Sequence, residues 1–322
     1  MNRGVRFTVI AALLLFSACR EACAWNSIGH MAVAYAAYQR LTQPEKDRVA
    51  VLLKKCPWYK TWVGYLPAGL SKADTNEYIF MMAATWPDEI KASGSGYTGN
   101  DTPPAGEAPT LNKGYTDKNA HKYWHFVDTP FAVDATSLPE VPQPTIVEKI
   151  AAFRAALATS ETAKLKSYDL VWLLHLVGDV HQPLHCTTRV SQAKPEGDLG
   201  GNDVVLTSSA KELHAFWDDA VGLGDTKNYK TAEAVGLALP APDPALAGDD
   251  KEDDWAAESF ALAKSSAYLD PPIGPGLGPF TPTPDYTTST ETIAKQRIAL
   301  AGARLANLLK TALQCGDQTC AH

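Results

Sequence analysis

The chain has 322 residues, 45% of them hydrophobic, and a formal net charge of −7 at pH 7. An acidic protein of this kind is not expected to hold nucleic acid through a broad basic surface. Bound metal ions could still create a local site for anions, and the length alone could accommodate two domains.

The first 24 residues have the pattern of an export signal. A basic amino terminus precedes an apolar run from Phe7 to Phe16, which is too short to span a bilayer. Ala22-Cys-Ala24 fits a small-residue cleavage site, so removal of residues 1–24 would make Trp25 the new amino terminus. Phe16-Ser-Ala-Cys19 is an alternative, weaker match to a lipoprotein cleavage box. We expect a soluble, monomeric protein that is secreted or periplasmic and has no membrane partner.

Helical patterns dominate the remainder of the chain. Apolar residues recur at helical spacing, and capping signals such as Thr42-Gln-Pro-Glu45 precede several of these stretches. The predicted helices are near Ile28–Tyr38, from Thr42, Asp74–Trp86 stopped by Pro87, Ile146–Leu157, Ser167–His181, Lys211–Ala220, Asp250–Tyr268 and Ser289–Leu313. The only predicted strand is Val204–Leu206, and the long loops at 92–120, 130–144 and 271–284 are expected to lie at the surface.

Four cysteines follow the expected cleavage point, and an even number in an exported chain suggests disulfides. Cys315 and Cys320 would close a short loop at the carboxyl terminus. Cys56 and Cys186 remain as the second possible pair. The chain has no C-x-x-C motif, which argues against a zinc finger.

The segment His175-Leu-Val-Gly-Asp179-Val-His-Gln-Pro-Leu-His185 places three imidazoles and a carboxylate within eleven residues. His175 and Asp179 are four residues apart, so on a helix they share one face. Pro183 ends the helix and turns the chain, which lets His185 approach the same point from another direction. Nitrogen and oxygen ligands in this mixture suit zinc and similar divalent metals.

Further histidines and aspartates in suggestive motifs extend this set to eight candidate side chains. They are His30, Asp88, His125, His175, Asp179, His185, His214 and Asp218. A tetrahedral zinc takes about four ligands, so the number predicts a multinuclear centre. A single centre built from residues this far apart would tie the helices together, and we therefore predict one all-α domain over residues 25–322.

Other polar and aromatic residues have simpler interpretations. His121, His181 and His322 match no ligand position, and we interpret them as support or surface residues. Asp74 is expected to cap a helix, and Gly200 and Gly201 to form a tight turn. Core packing is expected of the four tryptophans Trp86, Trp124, Trp172 and Trp217.

The motifs also occur in one order along the chain. The order is Trp25 to Gly-His30, Thr-Trp-Pro-Asp88, Trp-His-Phe-Val-Asp128, the His175–His185 segment, Asp198-Leu-Gly-Gly-Asn202 and Leu-His-Ala-Phe-Trp-Asp218. In this it resembles the S1/P1 nuclease family of single-strand-specific enzymes with three zinc ions. The resemblance covers essentially all of the chain after residue 24, and it implies the helical fold shared by zinc nucleases and zinc-dependent phospholipases C.

The resemblance implies a ligand set for each of three zinc ions. Asp88, His125, His175 and Asp179 would hold the first ion. The second would be bound by His30, the bridging Asp179, and the free amino nitrogen and carbonyl oxygen of Trp25. The third would be held by three residues, namely His185, His214 and Asp218.

The same resemblance implies an endonuclease that hydrolyses single-stranded DNA and RNA to 5′-phosphorylated products, with 3′-nucleotides as additional substrates. Two close zinc ions would activate a bridging water, so Asp88 and Asp179 would act in catalysis as metal ligands. Lys91 stands where the family usually has arginine, which keeps the charge but loses the two-pronged donor geometry. Substrate binding would involve Phe126 by stacking, Asp128 by hydrogen bonds to a base edge, and Asn202.

Two alternatives remain open from the sequence. A zinc-dependent phospholipase C shares the helical fold and a similar His-x-x-x-Asp core. That family is expected to have glutamate in place of Asp218 and to lack the Trp-His-Phe-Val-Asp element. A noncatalytic zinc-binding or adhesion protein is the other alternative, against which the complete ligand set and Lys91 argue.

Overall fold

Helices account for most of the regular structure, which confirms the all-α class predicted from the sequence. The computed structural model describes residues 25–159, 161–222 and 227–318, without side chains after residue 314. The predicted export signal and the predicted Cys315–Cys320 pair therefore lie outside the described residues. In the described part, no helix is both long and apolar enough to cross a membrane.

The described residues form twelve α-helices and one small sheet. The helices are α1 (Ser27–Tyr38), α2 (Gln43–Leu53), α3 (Tyr59–Tyr65), α4 (Lys72–Ala83), α5 (Trp86–Glu89), α6 (Ile146–Leu157), α7 (Ala163–Asp179), α8 (Leu213–Asp218), α9 (Tyr229–Leu237), α10 (Pro244–Ala247), α11 (Glu252–Leu262) and α12 (Pro284–Gln318). The two strands, β1 (Pro130–Ala132) and β2 (Thr188–Val190), are parallel, with Phe131 opposite Arg189. Short 3₁₀ turns cover Gly114–Thr116, Lys122–His125 and Pro183–Cys186, and a π turn at Ala263–Ala267 follows α11.

Helix α7 lies at the centre of the fold. Thr162 caps it by accepting a hydrogen bond from the backbone N–H of Leu165, and every residue from Ser167 to Asp179 is buried. It packs against α6, α2, α12 and α1, so it is buried on all sides rather than along one stripe. The predicted core tryptophans are buried, and Trp86, Trp124 and Trp172 meet edge to face around α7.

Several predicted boundaries were wrong. Pro87 does not stop a helix but lies in the first turn of α5, where its missing N–H costs nothing. The predicted strand Val204–Leu206 is instead a loop with isolated bridges from Val205 to Glu212 and from Leu206 to Phe280. The sequence analysis did not predict helices α3, α9 and α10, which are short. It also missed both strands, because strand pairing depends on segments that are distant in the sequence.

The residue predicted to cap α4 was wrong. Ser71, not Asp74, is the N-cap, and its hydroxyl accepts from the backbone N–H of Asp74 at 3.1 Å. The hydroxyl in turn donates to the Asp74 carboxylate at 2.9 Å. Asp74 therefore completes the cap from the first turn of the helix.

The predicted Cys56–Cys186 disulfide was wrong, because both residues are buried free thiols. Cys56 follows α2, whereas Cys186 lies in the 3₁₀ turn after α7 and donates to the carbonyl of Val180 at 3.4 Å. Burial raises the pKa of Cys56 to about 11 and that of Cys186 to about 12. Neither thiol is therefore suited to act as a nucleophile at neutral pH.

A set of polar and charged side chains, mostly buried and here called the arginine network, joins α11 and α12 to the turn after α7. It consists of His181, Glu258, Ser259, Arg297 and Arg304. Arg304 donates to both Glu258 oxygens, at 2.7 and 2.8 Å, and to Nε2 of His181 at 2.9 Å. Arg297 donates to Glu258 at 2.8 Å and to the carbonyl of His181 at 3.2 Å. Each charged group of the network thus has an opposite charge or a hydrogen-bond partner.

Candidate metal centre

The carboxyl-terminal end of α7 provides the middle of the candidate site. His175 and Asp179 are fully buried, and their spacing of four residues puts Nε2 of His175 3.2 Å from Oδ2 of Asp179. Nδ1 of His175 donates to the carbonyl of Ala84 at 2.7 Å. This hydrogen bond fixes the ring so that Nε2 faces the carboxylates.

Helix α1 brings His30 to the other side of Asp179. Asn26 caps the helix by accepting from the N–H groups of Ile28 and Gly29. Nε2 of His30 lies 3.2 Å from Oδ1 of Asp179, and the ring stacks on His175 with centroids 3.8 Å apart. The approach depends on Gly178, because a Cβ there would lie 2.8 Å from Nδ1 of His30. The two oxygens of Asp179 therefore face different imidazoles.

Asp88 on α5 and His125 in a 3₁₀ turn complete this half of the site. Oδ1 of Asp88 lies 3.4 Å from Nε2 of His175 and 3.8 Å from Nδ1 of His125. Nδ1 of His125 is also 2.9 Å from Oδ2 of Asp179. The structure thus brings together two overlapping groups that could each hold a metal ion: His30, His175 and Asp179, and Asp88, His125 and His175.

A third group consists of His185, His214 and Asp218, all buried. Nδ1 of His185 donates to the carbonyl of His125 at 2.7 Å, and Nδ1 of His214 donates to the carbonyl of Gly200 at 2.8 Å. Carbonyls only accept, so each proton lies on Nδ1 and each Nε2 carries a lone pair. These two Nε2 atoms lie 3.0 Å apart. Lone pairs at this distance repel each other unless a cation lies near both.

The Asp198–Asn202 loop supports His214 from behind. Leu199, Gly200 and Gly201 all have positive φ, which glycine adopts at little cost and leucine does not. A Cβ at Gly200 would lie 2.4 Å from the carbonyl oxygen of Leu184. The predicted tight turn is therefore present, and it presents a backbone carbonyl to the His214 ring.

Missing hydrogen bonds show that these residues fit metal ions. Among the described residues, both ring nitrogens of His30, Nε2 of His125 and Oδ1 of Asp179 are buried without a hydrogen-bond partner. Leaving such atoms unpaired costs free energy, and native proteins rarely do so without a reason. Nitrogen and carboxylate donors in groups of three are what zinc binds.

The carboxylates of the site shift the pKa of a neighbouring imidazole, and their own pKa values shift in return. Burial alone would lower the pKa of His175, but Asp179 and Asp88 raise it to about 10. Burial would likewise raise the pKa of Asp179, yet His175 and His125 hold it well below the usual range. In the third group, burial and the neighbouring His185 lower the pKa of His214 to about 3. The two carboxylates therefore favour positive charge at His175, and the third group disfavours a proton between its imidazoles.

Trp25 lies beside the predicted second ion position. Its side chain is fully buried, and Nε1 donates to the carbonyl of Gly178 at 3.1 Å. The next residue, Asn26, donates from its backbone N–H to the carbonyl of Asp218 at 3.3 Å. Trp25 is therefore held between the end of α7 and the end of α8, where most of the predicted ligands meet.

The predicted substrate residues differ in burial, in hydrogen bonding and in charge. Nζ of Lys91 is 2.6 Å from Oδ1 of Asp88, so its charge lies at a predicted ligand. Phe126 is half-buried against the core, and Asn202 donates from its side chain to the carbonyl of Leu199 at 2.6 Å. Burial and the charge of Asp198 raise the pKa of Asp128 to about 7.

Sequence reasoning gave no role to Gln182. It is fully buried, and its side chain donates to Oδ1 of Asp218 at 2.7 Å. The available signal was its position inside the His175–His185 segment, between a non-ligand histidine and Pro183. Only the folded chain shows that it reaches a predicted ligand 36 residues away.

Comparison with known proteins gives consistent matches over nearly the whole chain. A sequence model of the S1/P1 nuclease family matches residues 25–314. "Endonuclease 3" of Arabidopsis thaliana is 25% identical over 351 residues, covering 96% of each chain. "Endonuclease 5" of the same plant is 23% identical over 333 residues and covers 95% of this chain and 96% of its own. "Endonuclease 4" is 30% identical over 158 residues, which cover 44% of this chain and 48% of its own.

Proposed function

The chain belongs to the S1/P1 nuclease family and is a hydrolase of nucleic-acid phosphodiester bonds, and from that premise we propose a more specific activity. It is an exported zinc-dependent endonuclease that cleaves single-stranded DNA and RNA to 5′-phosphorylated products, and it also hydrolyses 3′-nucleotides. The observation that carries the proposal is the convergence of three His/Asp groups. In these groups, atoms of His30, His125 and Asp179 are buried without hydrogen-bond partners, and Nε2 of His185 faces Nε2 of His214.

Three zinc ions per chain would be held by the predicted ligands. Asp88, His125, His175 and Asp179 would bind one ion. His30 and the other oxygen of Asp179 would bind a second, together with the amino nitrogen and carbonyl oxygen of Trp25. The third ion would be bound by three side chains, His185, His214 and Asp218. When bound, the ions supply an activated water and positive charge for the phosphate.

The protein side chains position the substrate phosphate and neutralise its negative charge. Lys91, anchored on Asp88, adds a fixed positive charge where the transferred phosphate gains negative charge. Its single ammonium group cannot form the paired hydrogen bonds of an arginine, so we expect weaker orientation of the phosphate. The buried surroundings of the ligands exclude bulk water and strengthen these electrostatic interactions.

Preference for single strands would come from the rim of the site. Phe126 offers an aromatic face for an unstacked base, and the Asp128 carboxyl offers hydrogen bonds to its edge. Asn202 would contact the same substrate from the Asp198–Asn202 loop. A base can stack on Phe126 only when it has left its own stack, which an unpaired strand allows at low cost.

Processing of the amino terminus is part of the proposal. Removal of residues 1–24 would free the α-amino group of Trp25, and the family match also begins at that residue. A chain that keeps even one additional residue would present an amide instead of an amine. We therefore expect a single functional cleavage position.

The test uses the mature protein beginning at Trp25, with zinc measured per chain and the amino terminus sequenced. Single-stranded DNA, RNA, duplex DNA and phosphatidylcholine vesicles are each incubated with it, with and without chelator. We expect about three zinc ions, chelator-sensitive cleavage of both single-stranded substrates, and 5′-phosphate ends. Cleavage of lipid without cleavage of nucleic acid would support a phospholipase C instead, and absence of turnover would support a noncatalytic zinc protein.

A further inference from the structure

We propose that Gln182 is a positioning residue that fixes which oxygen of Asp218 is presented to the third metal ion. This inference rests on the proposed zinc site at His185, His214 and Asp218. It assigns a function to a residue that binds neither metal nor substrate and that lies between the two halves of the site.

Both ends of the Gln182 amide are engaged. Oε1 accepts a hydrogen bond from the backbone N–H of Leu184 at 2.5 Å, and Nε2 donates to Oδ1 of Asp218 at 2.7 Å. Because a backbone N–H can only donate, the first bond fixes the amide oxygen on that side. The amide nitrogen must then face Asp218, so the orientation of the group is not arbitrary.

The backbone that carries Gln182 is held firmly on its outer side. Its N–H donates to the carbonyl of Asp179 at 2.9 Å. The two carbonyls in between are bound by the arginine network: Ser259 donates to Val180 at 2.5 Å, and Arg297 donates to His181 at 3.2 Å. Gln182 therefore projects from a rigid turn and not from a mobile loop.

The consequence for Asp218 is that its two oxygens become different. Oδ1 is occupied by Gln182, whereas Oδ2 lies 3.7 Å from Nε2 of His214. A carboxylate held in this way is biased toward binding the ion through Oδ2 alone. A catalytic zinc site needs a position left open for substrate or water, and the Gln182 hydrogen bond would keep one open.

Helix capping does not explain the choice of glutamine. Gln182 is the N-cap of the Pro183–Cys186 turn, and that role requires only an oxygen near the N–H of Leu184. Serine, threonine, aspartate and asparagine fill such positions more often than glutamine. The longer side chain with a donor is needed only because Asp218 lies beyond the cap.

Two variants separate the cap from the donor. Gln182→Met keeps most of the volume but loses both hydrogen bonds. Gln182→Thr keeps a capping oxygen, but its side chain is too short for the hydroxyl to reach Asp218. In both we expect affinity for one of the three zinc ions to fall about 10- to 100-fold, as for other residues that orient metal ligands. The other two ions stay bound, and kcat falls while KM changes little.

The measurement is zinc retained per chain under graded chelator competition, with kcat and KM on single-stranded DNA. Ser259→Ala is the matched control, since it removes a buried hydrogen bond from the same turn without touching Asp218. We expect it to lower the melting temperature but to keep three tightly bound ions. If Gln182→Met does not fold, Gln182→Thr decides.

Three outcomes would overturn the inference, and they do so in different ways. Suppose that wild-type protein binds zinc and is active. A Gln182→Thr variant that also keeps three tightly bound ions and an unchanged kcat would then overturn the role of Gln182 alone. Equal weakening of all three ions, as expected from a merely structural defect, would also overturn it. Wild-type protein without zinc or without nuclease activity would overturn the proposed function and this inference together.

Discussion

Two sets of buried polar groups lie on opposite sides of the turn after α7, and they differ in how completely they are paired. In the arginine network, Glu258 accepts from two arginines and His181 uses both ring nitrogens. In the candidate metal centre, His30 and one oxygen of Asp179 are equally buried but lack hydrogen bonds. Complete pairing is typical of a structural cluster, and incomplete pairing within a group of potential metal ligands favours a bound ion.

His175 and His181, six positions apart in the chain, allow the same comparison between two single residues. Both are fully buried, and each has Nδ1 directed at a backbone carbonyl. Nε2 of His181 accepts from Arg304, whereas Nε2 of His175 faces the carboxylates of Asp88 and Asp179. The partner of the second nitrogen, and not burial, therefore distinguishes a supporting histidine from a predicted ligand.

The largest effect is expected from Asp179→Asn, which alters the carboxylate that lies between His30 and His125. We expect kcat/KM to fall by at least about a thousandfold, or about 4 kcal/mol in the activation barrier. Zinc per chain should also fall, as measured on the purified protein. A variant that kept its zinc and its activity would show that the unpaired oxygen of Asp179 has no metal to bind.

Arg304→Met tests whether the arginine network contributes to stability without contributing to zinc binding. Removing one partner of a buried ion pair leaves Glu258 incompletely paired, and we expect unfolding to be easier by about 3 kcal/mol. Denaturant unfolding measures this loss, and zinc per folded chain should not change. The control is Lys295→Met, which breaks an exposed pair with Glu291 and should cost less than about 1 kcal/mol. Loss of zinc in Arg304→Met would mean that the two sets are not separable.

Asp169 is a buried and incompletely paired acid away from the metal centre, and it adds a third case to the comparison. Oδ1 accepts from Asn112 at 2.6 Å, and Oδ2 has no hydrogen-bond partner among the described residues. Burial raises the pKa of Asp169 to about 7, above the value near 4 expected in the unfolded chain. The folded protein therefore binds this proton more tightly, and its stability should fall as the pH rises from about 4 to 7.

Asp169→Asn should remove that dependence. Relative to wild type, we expect the variant to gain roughly 2 kcal/mol of stability at pH 8 and little or nothing at pH 4. Urea unfolding of zinc-loaded protein at the two pH values provides the measurement, with Asp270→Asn as an exposed control. A gain of the same size at both pH values would contradict the assigned pKa.

Lys91→Arg should have the smallest effect. Both side chains are positively charged, so we expect activity to stay within about tenfold of wild type, or about 1.4 kcal/mol. Lys91→Met should lower kcat more than Lys91→Arg does, because it also leaves Asp88 without its ion pair. Steady-state kinetics on single-stranded DNA would compare the three proteins, and equal rates for all three would show that Lys91 has no role at the phosphate.

Local patterns in the sequence were enough to predict the helical class and to select the residues that meet at the centre. His175 with Asp179, and His214 with Asp218, are i,i+4 pairs, so their proximity follows from helix geometry. The arginine network could not be predicted, because Arg304 and His181 are 123 residues apart. The wrong Cys56–Cys186 pairing has the same cause: counting cysteines carries no information on where the chain takes them.

Gly178 shows that the distance between two predicted ligands can depend on a residue that binds nothing. Its bare backbone lets His30 of α1 lie against α7, at a point where even a methyl group would act as a spacer. The substitution Gly178→Ala would therefore push the two helices apart while leaving every metal-binding group in the chain. The separation between His30 and Asp179 therefore depends on position 178 having no side chain.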